Sequence, residues 1–130
     1  MATIKKFEDI EAWQLARELA KETFEIVSVP PFKDFRFRNQ ITDSIGSVMD
    51  NIAEGFDRDG RNEFIQFMCS AKGSGGEHRS QLYRAFDFGY ISEETFERMT
   101  KKNVKMCDKI GAFNEYLKKT PLRGSKFNRN

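Results

Sequence analysis

Two helical patterns meet within residues 51–67, and the break between them constrains the fold of the whole chain. The apolar periodicity of the first pattern stops near Gly55, turn-forming residues fill positions 57–60, and a second pattern starts at Arg61. A glycine after a helical run, followed by an Asp-Arg-Asp-Gly sequence, is typical of a helix end and a tight turn. The sequence therefore predicts two helices that turn back on each other at this point.

Apolar residues at steps of three and four extend this pattern to the rest of the chain. They predict four helices, at residues of about 9–28, 37–56, 61–88 and 92–119. Four amphipathic helices with short connections favour an all-α, antiparallel up-down four-helix bundle over residues 1–120. Residues 121–130 contain basic residues and no acid, and are predicted to form a flexible tail.

The ends of these helices carry local signals. Asp9 and Ser92 are predicted N-caps of the first and fourth helices. Pro30 and Pro31 end the first helix because proline lacks a backbone donor, and Gly89 ends the third. The connector before the second helix contains three phenylalanines, which we expect to cover one end of the bundle: Phe32, Phe35 and Phe37.

Each helix has an apolar stripe that predicts its buried face. The first helix is expected to bury Ile10, Trp13, Ala16, Leu19, Ala20, Thr23, Phe24 and Val27. The fourth has a heptad seam with one polar member, Asn103: Phe96, Met99, Asn103, Met106, Ile110, Phe113 and Leu117. The third has a second apolar row, about 100° or more around the axis from its main stripe: Ile65, Cys69, Gly76 and Tyr83. Because a helix that is apolar on two sides contacts more than one neighbour, this row is the candidate interface of a homo-oligomer.

The composition favours a reduced, cytoplasmic protein. Cys69 and Cys107 lie inside helical patterns and not in a metal-binding spacing. The N-terminal residues show no signal-peptide pattern, and no apolar run approaches the roughly 18 residues of a membrane-spanning helix. Charged residues make up 32% of the chain, which suits helices with solvated outer faces. We therefore expect no contact with a membrane.

No residue pattern predicts an enzyme. His78 is the only histidine, and its position on the main stripe of the third helix favours a packing role over a catalytic one. Di-iron bundles place a glutamate three residues before a histidine, where this chain has Gly75, and HExxH zinc spacing is absent. Residues 73–76 lack the following Lys-Ser or Lys-Thr of a phosphate-binding loop, so we favour close helix packing there, with a ligand site as the alternative. The sequence predicts no catalytic residue, no metal and no cofactor.

Positive charge is concentrated in the second part of the chain. Residues 1–57 contain 7 Lys and Arg against 11 Asp and Glu, whereas residues 58–130 contain 15 against 9. Basic residues on one face of the fourth helix and after it form a candidate nucleic-acid contact: Arg98, Lys101, Lys102, Lys105, Lys109, Lys118, Lys119 and Arg123. The preferred hypothesis is a non-enzymatic oligomer that binds RNA or DNA. The alternative is a protein-interaction adaptor, for which the basic stripe only provides solubility.

Several stretches resemble the bacterial four-helix-bundle proteins encoded by intervening sequences in 23S ribosomal RNA genes, also called S23 proteins. The similar stretches are residues 7–16, 63–67, 71–74 and 89–91, with Glu77, Gln81 and Leu82. The most specific block is Asn51, Ile52, Ala53, Glu54, Gly55 and Phe56. The resemblance extends from about residue 7 to residue 117.

This resemblance implies a left-handed up-down bundle that assembles as a homopentamer, with no known enzymatic activity. It also implies kinship with the accessory protein of diversity-generating retroelements, a basic pentameric barrel thought to bind nucleic acid and a reverse transcriptase. Residues 42–50 are acidic where members of the family tend to have basic residues and a proline, which argues against RNA contact through the second helix. Gly75 and Gly76 replace a bulkier pair, which implies altered packing around His78.

Overall fold

The computed structural model describes residues 4–29 and 32–120, and within them the chain forms one short 3-10 turn and four α-helices. The turn covers Phe7–Asp9, and the helices are α1 (Glu11–Val27), α2 (Phe35–Asp57), α3 (Arg61–Asp87) and α4 (Glu93–Lys119). Each helix packs against two neighbours, in the order α1, α2, α3, α4 and back to α1. The predicted all-α four-helix bundle is confirmed. The predicted flexible tail and the two prolines after α1 lie outside the described residues.

One of the two predicted N-caps is confirmed. The Ser92 hydroxyl accepts the backbone N–H of Thr95 at 3.1 Å, which satisfies a donor in the first turn of α4. The prediction for Asp9 is wrong, because α1 begins two residues later. The Asp9 carboxylate instead accepts the backbone N–H groups of Lys5 and Lys6, at 3.1 and 3.3 Å, and so closes the short turn before the helix.

The start of α2 separates the three phenylalanines of the preceding connector. Asp34 caps this helix by accepting the N–H of Phe37 at 3.1 Å, so α2 starts two residues earlier than predicted. Phe35 and Phe37 then lie about 200° apart around the axis, and only one of them can face the core. Phe37 is buried and Phe32 is half-buried, both in ring contact with Tyr90, whereas Phe35 is 54% exposed. The prediction that all three cover the bundle end is wrong for Phe35.

The end of α3 follows the prediction. Gly89 has a φ of 80°, a conformation that glycine adopts without a steric penalty. Its N–H donates to the carbonyl of Phe86 at 3.0 Å, and the N–H of Tyr90 donates to the carbonyl of Ala85 at 2.8 Å. These two bonds form a Schellman motif, which satisfies carbonyls in the last turn of the helix.

The stripes that the sequence predicts for α1 and α4 lie in the core or pack against it, with one exception on α1. Leu19 and Thr23 have no exposed surface, and Val27 is 2% exposed. Phe24, which was also expected in the core, is 62% exposed. Because Thr23 faces the centre of the bundle at this level, the next residue lies about 100° further around the axis and projects into solvent.

Candidate functional site

The basic face of α4 lies against an acidic face of α1. The two helices are joined by ion pairs of Arg98 with Glu22 at 3.0 Å, of Lys102 with Glu18 and Glu22 at 3.3 and 3.1 Å, and of Lys109 with Glu11 at 3.2 Å. Three of the five cations predicted to contact phosphates on this face therefore already have carboxylate partners. Their first role in this fold is to join α4 to α1.

The pair between Lys102 and Glu22 is the most enclosed of these contacts. Partial burial disfavours the charge on Glu22, but hydrogen bonds from Lys102 and Arg98 outweigh it and hold the pKa of this carboxyl below its ordinary value. Burial likewise disfavours the charge on Lys102, and hydrogen bonds to Glu22 and Glu18 raise its pKa above the ordinary value. Both groups therefore remain charged around neutral pH.

Lys101 and Lys105 are the cations of this face that remain available. Both are exposed, and among the described residues neither forms an ion pair within 4 Å. Lys118 pairs with Glu115 on the same helix at 3.4 Å, and Lys119 is exposed. Arg123 lies outside the described residues. The structure thus divides the predicted basic stripe into two parts. Arg98, Lys102 and Lys109 pair with acids of α1, whereas Lys101 and Lys105 form the open part of the basic surface.

The second apolar row of α3 lies on the side of this helix that faces α4. Ile65 and Gly76 are half-buried, Cys69 is exposed, and Tyr83 is 55% exposed. The Cys69 sulfur accepts a hydrogen bond from the Asn114 amide at 3.4 Å. Ile65 packs against the core of the single chain, whereas Cys69, Gly76 and Tyr83 do not belong to it. The row remains a predicted subunit contact.

Two cations on α3 were not among the candidates from sequence. Lys72 and Arg79 are seven residues apart, which places them on the same side of α3. The Lys72 amine lies close to Gly111 of α4, and Arg79 lines a groove between α3 and α4 together with Lys101. These two cations interleave with the apolar row in the sequence, and only their spacing of seven residues indicates that they lie beside that row.

His78 lies in the centre of the bundle, within a polar network that links three helices. Its side chain has no exposed surface. Its Nε2 is 2.9 Å from the Thr23 hydroxyl of α1, and its Nδ1 is 3.1 Å from the Asn103 amide nitrogen of α4. The same amide nitrogen donates to the carbonyl of Gly75 at 2.9 Å, and the Cys107 thiol donates to the Asn103 oxygen at 3.6 Å. The polar position in the α4 seam thus pairs with the histidine of the α3 stripe.

These partners determine the tautomer of His78. The Gly75 carbonyl can only accept a hydrogen bond, so Asn103 must turn its NH₂ group towards it and towards Nδ1. Nδ1 is then the acceptor, and Nε2–H donates to Thr23. Burial lowers the pKa of His78 from 6.5 to about 4, so the ring is neutral near pH 7. A side chain with no exposed surface cannot contact a substrate. The burial of His78 therefore agrees with the packing role that its position in the sequence favoured.

The glycines of residues 73–76 differ from one another in their surroundings. A Cβ at Gly75 would lie 2.8 Å from the Cys107 sulfur and 3.1 Å from the Met106 methyl, so α3 and α4 approach closely there. A Cβ at Gly73 or Gly76 would have no atom within 4 Å. The preferred interpretation of close packing therefore applies to Gly75 and not to Gly73 or Gly76.

The most specific block of the resemblance, residues 51–56, builds the contact between α2 and α3. Ile52 and Phe56 are buried, and Phe56 meets Phe64 of α3 at a centroid distance of 6.1 Å. Gly55 was predicted to end the helix through its backbone freedom, but α2 continues to Asp57. A Cβ at Gly55 would lie 2.7 Å from the Cβ of Phe67, so this glycine permits close helix approach instead.

The other positions of the block make local contacts. The Asn51 amide donates to the Ser47 carbonyl at 2.8 Å, and the Glu54 carboxylate pairs with Arg58 at 2.6 Å. Ala53 is half-buried. The block is therefore a packing motif in this fold.

No helix in residues 4–29 and 32–120 is long and apolar enough to cross a membrane. Over the same residues, the His, Cys, Asp and Glu side chains form no group of three or more that could hold a metal ion. Both cysteines are free thiols, and burial raises the pKa of Cys107 above its ordinary value.

Comparisons with known proteins agree with this architecture. A family model described as 23S rRNA-intervening sequence protein matches residues 8–112. Among solved structures, the chain is similar to a protein with unknown function from the S23 ribosomal protein family of Bacteroides thetaiotaomicron. That match has 20% sequence identity and a TM-score of 0.74, and it covers 80% of this chain and 98% of the other. At this identity the likeness shows the fold alone. No curated protein matches the chain.

Proposed function

The chain belongs to the 23S rRNA-intervening sequence protein family, as its sequence stretches indicated, and from this premise we propose that it is a non-enzymatic bundle that binds nucleic acid as a homo-oligomer. The homopentamer implied by the family resemblance is the assembly we propose. The observation that supports nucleic-acid binding is the open part of the basic surface, where exposed cations stand without carboxylate partners. Lys101 and Lys105 are the core of this surface.

The ion pairs between α1 and α4 make the proposal more specific. Reversing the charge of Lys102 or Lys109 would place a carboxylate against Glu18, Glu22 or Glu11, and would weaken the bundle itself. Weaker binding by such a variant would not distinguish an effect on phosphate binding from an effect on helix packing. Lys101 and Lys105 form no ion pair within 4 Å, but both line a groove with Glu11 and Glu18. A neutral replacement at these two positions removes the cation and adds no carboxylate beside the acids of α1.

We expect the double variant Lys101→Gln/Lys105→Gln to bind RNA and DNA more weakly than the wild type, with unchanged thermal stability. For each phosphate that the protein no longer neutralises, the slope of log K against log salt becomes shallower by about 0.7 to 0.9. The measurement is fluorescence anisotropy of a labelled oligonucleotide at several salt concentrations.

The matched control is Lys5→Gln/Lys21→Gln, which makes the same change in net charge at two exposed lysines that are not part of α4. It is expected to retain the wild-type slope within error. Equal weakening in both variants would show that only net charge matters. No binding by the wild type at low salt would contradict the nucleic-acid proposal.

The assembly proposal places the subunit contact at the part of the α3 row around Cys69 and Gly76. Because a Cβ at Gly76 would meet no atom of the same chain within 4 Å, Gly76→Arg leaves the monomer intact and blocks a neighbouring subunit. We expect this variant to have a lower mass than the wild type by light scattering. Gly46→Arg is the control, since Gly46 of α2 is equally open. A wild-type protein that is monomeric, or a Gly76→Arg variant with the wild-type mass, would contradict this contact.

Exposed aromatic side chains favour a second candidate function, that of a protein-interaction adaptor. Phe35 and Phe88 are both 54% exposed and Tyr90 is 36% exposed, all at the end of the bundle where α2 begins and α3 ends. Exposed apolar surface of this kind is typical of a contact with another macromolecule.

The two candidate functions differ in which molecule co-purifies with the protein from cells. Nucleic acid in the purified material, removed by high salt, supports the first candidate, and a stoichiometric protein that resists high salt supports the second.

A further inference from the structure

A groove between the C-terminal half of α3 and the N-terminal half of α4 combines an exposed aromatic ring with cations that form no ion pair within 4 Å. Its volume is about 480 Å³, and it is lined by Arg79, Tyr83, Glu97, Thr100, Lys101 and Val104. It lies along the edge of α4 that faces α3, whereas the ion pairs lie along the edge that faces α1. Lys101 lies between the two edges and also lines a groove with Glu11 and Glu18 of α1, whereas Arg79 belongs to the α3 side alone.

The ring of Tyr83 is held in place by its own chain and still offers most of its surface to solvent. It makes an edge contact with Phe96 at a centroid distance of 4.9 Å and an interplanar angle of 72°. Phe96 is in turn stacked on Phe86 at 5.0 Å. Tyr83 nevertheless remains 55% exposed. A ring supported from behind and open in front loses little conformational freedom when a flat ligand stacks on it.

The charges around this ring favour an anionic ligand. Arg79 and Lys101 line the groove, and among the described residues neither has a carboxylate within 4 Å. Glu97 lines the same groove and reduces the net positive charge without pairing with either cation.

Cations on both sides of a supported aromatic ring match the chemistry of an unpaired polynucleotide strand. In a duplex the faces of the bases are stacked on one another and are not available to an aromatic side chain. In a single strand each base has a free face that stacks on an aromatic side chain, while nearby cations contact the phosphates. We propose that this groove binds single-stranded nucleic acid, with a base stacked on Tyr83 and phosphates contacted by Arg79 and Lys101. The inference rests on the proposed nucleic-acid function and specifies its strand form.

This inference changes the role that the sequence predicted for Tyr83. The apolar row of α3 was expected to form a subunit contact along its whole length. Tyr83 lies seven residues beyond Gly76, about 10 Å along the same face of the helix, so the inference requires that a subunit contact around Cys69 and Gly76 ends before this ring. A stacking role and a subunit-contact role of Tyr83 predict different effects of the same substitutions at this position.

The test compares Tyr83→Leu with Tyr83→Phe in the full chain. Leucine keeps an apolar contact with Phe96 and removes the aromatic face, whereas phenylalanine keeps the face. We expect Tyr83→Leu to bind a labelled single-stranded oligouridylate about tenfold more weakly than the wild type, since it cannot form the base–aromatic stack. Tyr83→Phe is expected to bind it like the wild type. A duplex of the same length is expected to bind all three proteins equally, because its bases do not reach the ring.

Each outcome decides between the proposals. Equal binding of the single strand by Tyr83→Leu and wild type overturns the stacking role and leaves the nucleic-acid function in place. Equal weakening towards single strand and duplex also overturns it, because the effect is then not one of stacking. A lower mass of Tyr83→Leu by light scattering assigns the residue to the subunit interface instead. No binding of either nucleic acid by the wild type overturns the proposed function together with this inference.

Discussion

Lowering the pH from 7 to about 4 is expected to remove about 3 kcal/mol of folding free energy through His78 alone. The folded chain holds this side chain neutral, with a pKa lowered to about 4 by burial, against 6.5 for the ordinary group. Protonation would also place an N–H at Nδ1, against the NH₂ group of Asn103 that donates to it. The buried network therefore resists the added proton through both desolvation and geometry.

The sign of the effect follows from the two pKa values. Between pH 6.5 and about 4 the unfolded chain binds a proton at this histidine and the folded chain does not. The contribution of His78 is therefore fully present above pH 6.5 and is lost as the pH falls to about 4. The carboxyl groups of Asp34 and Glu22 also have lowered pKa values, and they lose their contribution at the acidic end of this window and below it.

Urea unfolding at a series of pH values measures the effect. The wild type is expected to lose stability from about pH 6.5 downwards. His78→Gln, which keeps a donor and an acceptor but does not titrate, is expected to be less stable at pH 7 and nearly independent of pH until the carboxyl groups titrate. A variant with the same pH dependence as the wild type would show that His78 is not the titrating group.

The ion pairs between α1 and α4 could have been predicted from the sequence. Glu11, Glu18 and Glu22 recur at steps of seven and four, and Arg98, Lys102 and Lys109 recur at steps of four and seven. The reversed order of the steps is what two antiparallel helices need for every acid to meet a base. On α4 alone, the basic residues form one continuous surface, and only the position of α1 divides them into paired and unpaired cations. Periodicity predicts which face of a helix carries the charged residues. The residues that face pairs with depend on which helices are neighbours, and periodicity does not give this.

The central network shows the same division. The apolar seam of α4 and the stripe of α3 identified Asn103 and His78 as polar residues at buried positions. That they bond to each other and to Thr23 depends on the relative axial shift of three helices, which periodicity does not specify. Phe24 illustrates the converse, because its spacing fits the stripe of α1 and only the position of Thr23 at the centre excludes it.

Two glycine-to-alanine substitutions in α2 are expected to change stability in opposite directions. Gly46 and Gly55 lie in the interior of the same helix, where alanine is favoured over glycine by about 1 kcal/mol. A Cβ at Gly46 would meet no atom within 4 Å, so Gly46→Ala is expected to stabilise the bundle by up to about 1 kcal/mol. It serves as the control for the second variant.

Gly55→Ala is expected to destabilise the bundle by about 2 kcal/mol, a difference of about 3 kcal/mol from the control. The new methyl group would lie 2.7 Å from the Cβ of Phe67 and 2.9 Å from the ring of Phe64. The first of these atoms is fixed to the backbone of α3 and cannot rotate away, so α2 and α3 must move apart and pack less closely. Chemical unfolding of both variants gives the two free energies. Equal stabilisation in both would mean that α3 shifts at no cost, and that the glycine of this block does not hold the two helices at their close distance.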